Sequence, residues 1–129
     1  MRRVVRPGGG IAAIEPDFGM NAINFPDRGL ARRVLDHECD AGVPQGWLVR
    51  DLLGMLEDAG FTGVEVATRV VVFDPDLAAG YFAQTGRSAC QAGVIDADEL
   101  ARWTGTIADL HGRGRLFCSI GYFLFTARV

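Results

Sequence analysis

The sequence contains no lysine, since all thirteen of its basic residues are arginine. This absence excludes a lysine nucleophile and a lysine Schiff base. Sixteen acidic residues leave a net charge of −3 and a pI of about 5.3. Such a balance predicts no nucleic-acid partner and no attraction to an anionic membrane surface.

Cysteine and histidine are also scarce. Cys39, Cys90 and Cys118 are widely spaced and form no C-x-x-C pair, which argues against structural zinc and a disulfide framework. His37 and His111 are isolated from each other. We therefore expect free thiols and predict no metal site.

Long apolar runs are missing as well, and none approaches the roughly 20 residues that a membrane-spanning helix needs. The basic N-terminus lacks the apolar core of a secretory signal and breaks at Pro7. These features predict a cytoplasmic protein without a membrane partner. The 129 residues, 49% of them hydrophobic, suit a single domain with its own core.

Periodicity along the chain predicts alternating strands and helices. A short apolar run predicts a buried strand over Ile11–Glu15 that ends at Pro16. Apolar residues at helical spacing predict helices over 26–40 and 46–59, and β-branched residues predict a strand over 64–73. These elements are typical of an α/β fold.

The second half of the chain continues this pattern. Asp74-Pro75 is typical of a helix start, and Asp96 with Glu99 predicts a capping box that opens another helix. The closing segment, 116–127, is largely apolar on both faces. We therefore expect a strand that is buried on both sides, with helices covering both faces of its sheet.

One glycine-rich motif needs its context to be interpreted. Residues 8–13, GGGIAA, match the G-x-G-x-x-A pattern of dinucleotide-binding loops. That chemistry requires a strand before the glycines and a helix after them, so that the helix N-terminus faces the phosphates. Here a predicted strand follows instead, so we interpret the glycines as a turn that leads into a strand.

Three segments in order carry a family resemblance. Residues 2–17, RRVVRPGGGIAAIEPD, resemble the entry to the fifth strand of Rossmann-like S-adenosylmethionine-dependent methyltransferases of the ubiquinone/menaquinone-biosynthesis type. Residues 47–66, WLVRDLLGMLEDAGFTGVEV, are similar to the helix before the sixth strand and to that strand itself. The Phe-rich segment 116–127 resembles the seventh strand.

The resemblance implies the carboxyl-terminal half of that fold. Residues 1–129 would form one partial domain with a three-stranded sheet, in which the last strand is central and antiparallel to both neighbours. Residues 74–114 would be a helical insertion, and Met1–Val5 would match the last turns of the preceding helix. The family's cofactor loop and ribose-binding acid come before these elements. S-adenosylmethionine is thus expected in the complete enzyme and not on this chain alone.

The function implied is that of a methyltransferase fragment, inactive alone, with part of the pocket for a small-molecule methyl acceptor. Ligands of open α/β sheets bind beyond the carboxyl ends of the strands. Glu15, Asp17 and Phe18 leave the first strand there and are the candidate pocket residues. The same acids are also typical of turns and caps, and Phe18 is also typical of a core.

An alternative is a non-catalytic α/β module that acts in dimerisation or scaffolding. In the resembled fold the first strand of this chain is flanked by an earlier strand, so its outer edge would be bare here. A bare apolar edge invites pairing with another chain. We therefore expect self-association or a complementing amino-terminal half.

Overall fold

The computed structural model describes residues 5–129, so the expected helical turns at Met1–Val5 fall almost wholly outside the described residues. The described elements form an α/β fold of three strands, four α-helices and one π-helical turn. In chain order they are β1 (Gly10–Ile23), α1 (Arg28–His37), the π-helical turn (Glu38–Gly42), α2 (Leu48–Asp58), β2 (Thr62–Val72), α3 (Pro75–Gln91), α4 (Ala97–Gly112) and β3 (Cys118–Arg128).

The sheet has the order β1-β3-β2, and β3 is antiparallel to both of its neighbours. Leu124 at the centre of β3 faces Ile14 of β1 on one side and Ala67 of β2 on the other. The prediction of a central, antiparallel last strand is confirmed. It follows that β1 and β2 run parallel to each other and are the two edge strands.

The first strand is longer than predicted. Pro16 was expected to end it, but β1 continues to Ile23, and Pro16 faces Tyr122 within the ladder. Proline has no backbone N–H to donate to a neighbouring strand. An edge strand tolerates it where the missing N–H would have faced away from the sheet. After Asp17 the register shifts. Asp17 faces Gly121 and Ala22 faces Ser119, so residues 18–21 of β1 lie opposite the single residue Ile120 of β3.

The helices begin where the sequence predicts. Asp74 accepts hydrogen bonds from the amides of Asp76 and Leu77, with Pro75 in the first turn. Asp96 and Glu99 form both bonds of the predicted capping box. Helices α1 and α2 lie within the predicted ranges 26–40 and 46–59. None of the helices in residues 5–129 is long and apolar enough to cross a bilayer.

The larger core joins α1, α3 and α4. Its centre is Trp103 of α4, which is fully buried and whose Nε1 donates to the Phe82 carbonyl at 2.7 Å. The indole lies against Gly86 of α3, where any Cβ atom would collide with it. Helices α3 and α4 therefore pack closely because position 86 carries no side chain.

A second core lies between α2 and the sheet. Val49, Leu52 and Leu56 form the buried face of α2 and pack in one cluster with Phe125 and Ala127 of β3. This packing confirms the predicted apolar face of the second helix. It also covers the odd-numbered side of β3, on which Ile11 and Ala13 of β1 lie.

The opposite side of the sheet is largely open. Ile14 is 65% exposed and Val71 is 40% exposed, and with Ala67, Tyr122 and Leu124 they border a shallow hollow of about 360 Å³. The expectation of helices on both faces is wrong for this region. Helices α3 and α4 instead bury their apolar faces on each other and on α1, and their core includes sheet residues only near Ile23 and Cys118.

The cysteines provide a first test of this packing. Cys39 and Cys118 are buried, and burial raises the pKa of both thiols, that of Cys118 to about 12. We expect a thiol reagent at mildly alkaline pH to modify Cys90 in the native chain, because Cys90 is partly exposed and only the thiolate reacts. Cys39 and Cys118 should react only after denaturation.

The control is Cys90→Ser, which should abolish labelling of the native chain and leave two reactive thiols after denaturation. Rapid labelling of Cys118 in the native chain, located by peptide mass spectrometry, would contradict the burial of the β3 N-terminus in the larger core.

Candidate functional site

The carboxyl ends of β1 and β2 lie at one edge of the sheet, where ligands of open α/β sheets bind. The three sequence-predicted candidates were expected to leave the first strand at this edge, but all three lie within β1, which continues to Ile23. Glu15 is half-buried opposite Phe123, and Asp17 is buried opposite Gly121. Phe18 is half-buried in the irregular stretch that follows.

Asp17 is held in place by α2. Arg50 donates from Nε to Asp17 Oδ2 at 3.0 Å and from Nη2 to Oδ1 at 3.2 Å, and the Gly19 amide also donates to Oδ1 at 2.9 Å. The guanidinium lies 3.9 Å from the centre of the Trp47 ring. This two-pronged ion pair occupies both carboxylate oxygens. Asp17 therefore fastens β1 to α2, and its oxygens are not free to orient a ligand.

A second polar cluster lies nearby, and the sequence did not predict it. We call it the Glu38 cluster: Glu38 in the π-helical turn, Tyr81 of α3 and Asn21 of β1. Glu38 is only 6% exposed, and its Oε1 accepts a hydrogen bond from the Tyr81 hydroxyl at 2.7 Å. Burial and the hydrogen bond to Glu38 raise the pKa of the Tyr81 phenol well above its usual range. Tyr81 is therefore a neutral hydrogen-bond donor at physiological pH.

The charge on Glu38 is weakly compensated. Within residues 5–129, the Glu38 carboxylate accepts a side-chain hydrogen bond from Tyr81. No arginine or histidine of these residues forms a salt bridge with Glu38. The second oxygen, Oε2, lies against Gly42. A buried carboxylate without a countercharge favours a ligand that donates hydrogen bonds or carries positive charge.

A hollow of about 150 Å³ opens beside this carboxylate. It is lined by Glu38, Gly42, Tyr81, Gln84, Thr85 and Ser88. The size suits a hydroxyl, amino or ammonium group together with a few carbon atoms. The π-helical turn that follows α1 carries Glu38, which lines this hollow.

Asn21 adds unsatisfied hydrogen-bonding capacity. Its Nδ2 and Oδ1 atoms are both buried, and neither has a partner among the described residues. The side chain belongs to the shifted stretch of β1 and lies close enough to influence the Tyr81 phenol. Buried polar atoms without partners are rare because each costs about 1–3 kcal/mol. Asn21 does not line the hollow beside Glu38; it lines a separate one, together with Phe25 and Arg28 among others.

The remaining singled-out residues have structural roles. His111 lies 2.6 Å from Asp76 Oδ1, and His37 lies 3.3 Å from the Ser88 hydroxyl. The described residues bring together no group of three or more metal-binding side chains. The Gly8 amide donates to the Val129 carbonyl, and β1 starts at Gly10. The glycines therefore form a turn into a strand, as the sequence predicts.

One signal in the sequence pointed to the Glu38 cluster. Leu30 and Val34 are buried on one face of α1, and Glu38 follows at the same spacing of four residues. An acid on the apolar face of a helix is unusual and indicates a buried polar site. Its partner, Tyr81, lies 43 residues further along the chain. No local pattern connects the two.

No family model matches the chain. An uncharacterized 37.1 kDa protein in transposon TN4556 of Streptomyces fradiae is 31% identical over 130 residues. The alignment covers 98% of this chain and 36% of that protein. The chain thus spans about a third of the length of the relative.

Proposed function

We propose that the chain forms the acceptor-side half of an S-adenosylmethionine-dependent methyltransferase that acts on a small molecule. The observation that carries the proposal is the strand order β1-β3-β2 with β3 antiparallel to both neighbours. That order corresponds to the fifth, seventh and sixth strands of the family that the sequence resembles. The helical segment between β2 and β3 corresponds to an insertion that covers the substrate in such enzymes.

The Glu38 cluster supplies the proposed contacts to the methyl acceptor. Glu38 Oε2 accepts a hydrogen bond from a hydroxyl or amino group of the acceptor, and Tyr81 holds the other carboxylate oxygen in place. When bound by the other half of the fold, S-adenosylmethionine supplies the sulfonium methyl group. We assign no residue of this chain to the cofactor. The chain contributes by positioning the acceptor for in-line attack.

The experiment compares two proteins by calorimetric titration with S-adenosylmethionine. The isolated chain should give no binding heat. The product of the same gene together with any in-frame coding sequence upstream should bind the cofactor with micromolar affinity. Micromolar binding by the isolated chain would overturn the acceptor-side assignment, and no binding by the longer product would overturn methyl transfer.

A second candidate function is a non-catalytic module that assembles through an edge of its sheet. The exposed valines of the β2 edge favour it, since Val66, Val70 and Val72 are 45%, 61% and 58% exposed. Exposed apolar edge strands are templates for pairing. Light scattering over a range of concentrations tests this candidate separately. A chain that stays monomeric at every concentration would contradict assembly through the sheet edge, but it would not contradict methyl transfer.

A further inference from the structure

The edge strand β2 has a self-complementary sequence about Ala67. Glu65 and Arg69 lie two positions before and two positions after it, and both are exposed. They point to the same face of the sheet but are four residues apart, which along a strand is about 13 Å. Among the described residues neither forms a salt bridge. The strand therefore carries one free acid and one free base, placed symmetrically.

We infer that β2 pairs antiparallel with β2 of a second copy of this chain, with the two-fold axis at Ala67. In that register each residue faces the partner residue that lies equally far on the other side of Ala67. Glu65 then faces Arg69 of the other copy, and Arg69 faces Glu65, so that two cross-strand ion pairs form. Opposite charges in directly facing positions stabilise an antiparallel pair.

The other face of β2 agrees with the same register. The ladder of β2 is regular over residues 65–72, where Val66, Thr68 and Val70 alternate with the charged residues. Val66 and Val70 are strongly exposed in the single chain. About the axis at Ala67, Val66 faces Thr68 of the other copy. Val70 lies opposite Val64, which belongs to the irregular stretch between Thr62 and Glu65. The two rows of β-branched side chains thus meet and shield each other from water. The product is a continuous six-stranded sheet.

The outer edge of β1 does not offer an equivalent surface. Pro16 lacks an amide donor, and residues 18–21 interrupt the regular ladder. The charged residues on this strand are both acidic, Glu15 and Asp17, and Asp17 is already paired with Arg50. Self-association is therefore assigned to β2. This refines the second candidate function and does not depend on methyl transfer.

Charge reversal tests the register by sedimentation equilibrium over a concentration series. The unaltered chain should show a monomer–dimer equilibrium. Glu65→Arg and Arg69→Glu should each raise the dissociation constant at least about tenfold, because each places like charges opposite one another twice. The double variant Glu65→Arg/Arg69→Glu should restore dimerisation, and an equimolar mixture of the two single variants should form heterodimers.

Cross-linking tests the position of the axis. Ala67→Cys should form an intermolecular disulfide on mild oxidation, since directly facing Cα atoms are about 4.5–5.5 Å apart. Thr68→Cys should not form this disulfide. In the proposed register the two copies of residue 68 are offset by two residues along the strands, so their Cα atoms are more than about 7 Å apart.

A matched pair of surface variants completes the design. Val70→Lys places a charge in the valine row and should yield monomers, whereas Leu77→Lys on α3, equally exposed at 61%, should dimerise normally. A monomeric unaltered chain would overturn the inference. So would assembly that survives both Val70→Lys and the single charge reversals. Since cofactor titration and sedimentation are separate measurements, this proposal and methyl transfer can fail independently.

Discussion

Replacing Trp103 by alanine should lower the free energy of unfolding by about 3–5 kcal/mol. The indole is fully buried, packs at a tilt against Phe25 with ring centres 4.5 Å apart, and donates a hydrogen bond to the Phe82 carbonyl of α3. Alanine would leave a cavity, and the hydrogen bond from the indole to α3 would be lost. Because the α3 residue that lies against the indole is Gly86, position 86 has no side chain to fill the space.

Urea unfolding followed by circular dichroism measures this loss, and the chain provides its own control. Its other tryptophan, Trp47, is 44% exposed, and Trp47→Ala should cost no more than about 1 kcal/mol. If Trp103→Ala does not fold, Trp103→Phe keeps part of the ring volume and should show an intermediate loss. Equal losses for the two alanine variants would contradict the placement of α4 in the core.

The second large effect concerns Arg50. Arg50→Met keeps most of the aliphatic side chain but removes the guanidinium, which leaves the buried Asp17 carboxylate with the Gly19 amide as its hydrogen-bond donor. We expect the free energy of unfolding to fall by about 2–3 kcal/mol. This is less than the loss for a wholly buried pair, because the Arg50 side chain is 44% exposed.

The double variant Asp17→Asn/Arg50→Met separates the charge from the contact. In Arg50→Met the Asp17 carboxylate is buried without a countercharge, whereas the carboxamide of Asp17→Asn carries no charge. The double variant should therefore be more stable than Arg50→Met alone. Urea unfolding of the four chains closes the cycle. A double variant that is less stable than Arg50→Met would mean that the buried charge is not the source of the loss.

Local chemistry in the sequence was sufficient to predict most of the secondary structure. Asp74-Pro75 and Asp96 with Glu99 begin helices by bonding to amides within three residues, so their effect is independent of distant parts of the chain. The strand order came from the family resemblance, and no periodicity could have supplied it. The end of β1 was predicted wrongly because proline breaks the interior strands of a sheet but is tolerated at an edge.

The site was predicted less well than the fold, for a related reason. Asp17 was expected to leave β1 at the carboxyl edge of the sheet, but it lies within the strand, which continues to Ile23. Its pairing with Arg50 depends on how α2 packs against β1. The Glu38 cluster joins three elements that are distant in sequence. The exposure of Ile14 and the β2 valines likewise depends on where α3 and α4 pack, and a strand's own composition does not reveal that.

The shifted stretch of β1 also bears on how this protein can change over evolutionary time. In a regular strand, inserting or deleting one residue turns every following side chain to the wrong face. Residues 18–21 already lie outside the regular ladder, so a length change there need not alter the pairing of Ile11–Asp17 or of Ile23. Relatives of this protein should therefore tolerate insertions and deletions at this point of the strand, while the regular ladder over residues 65–72 of β2 keeps its length.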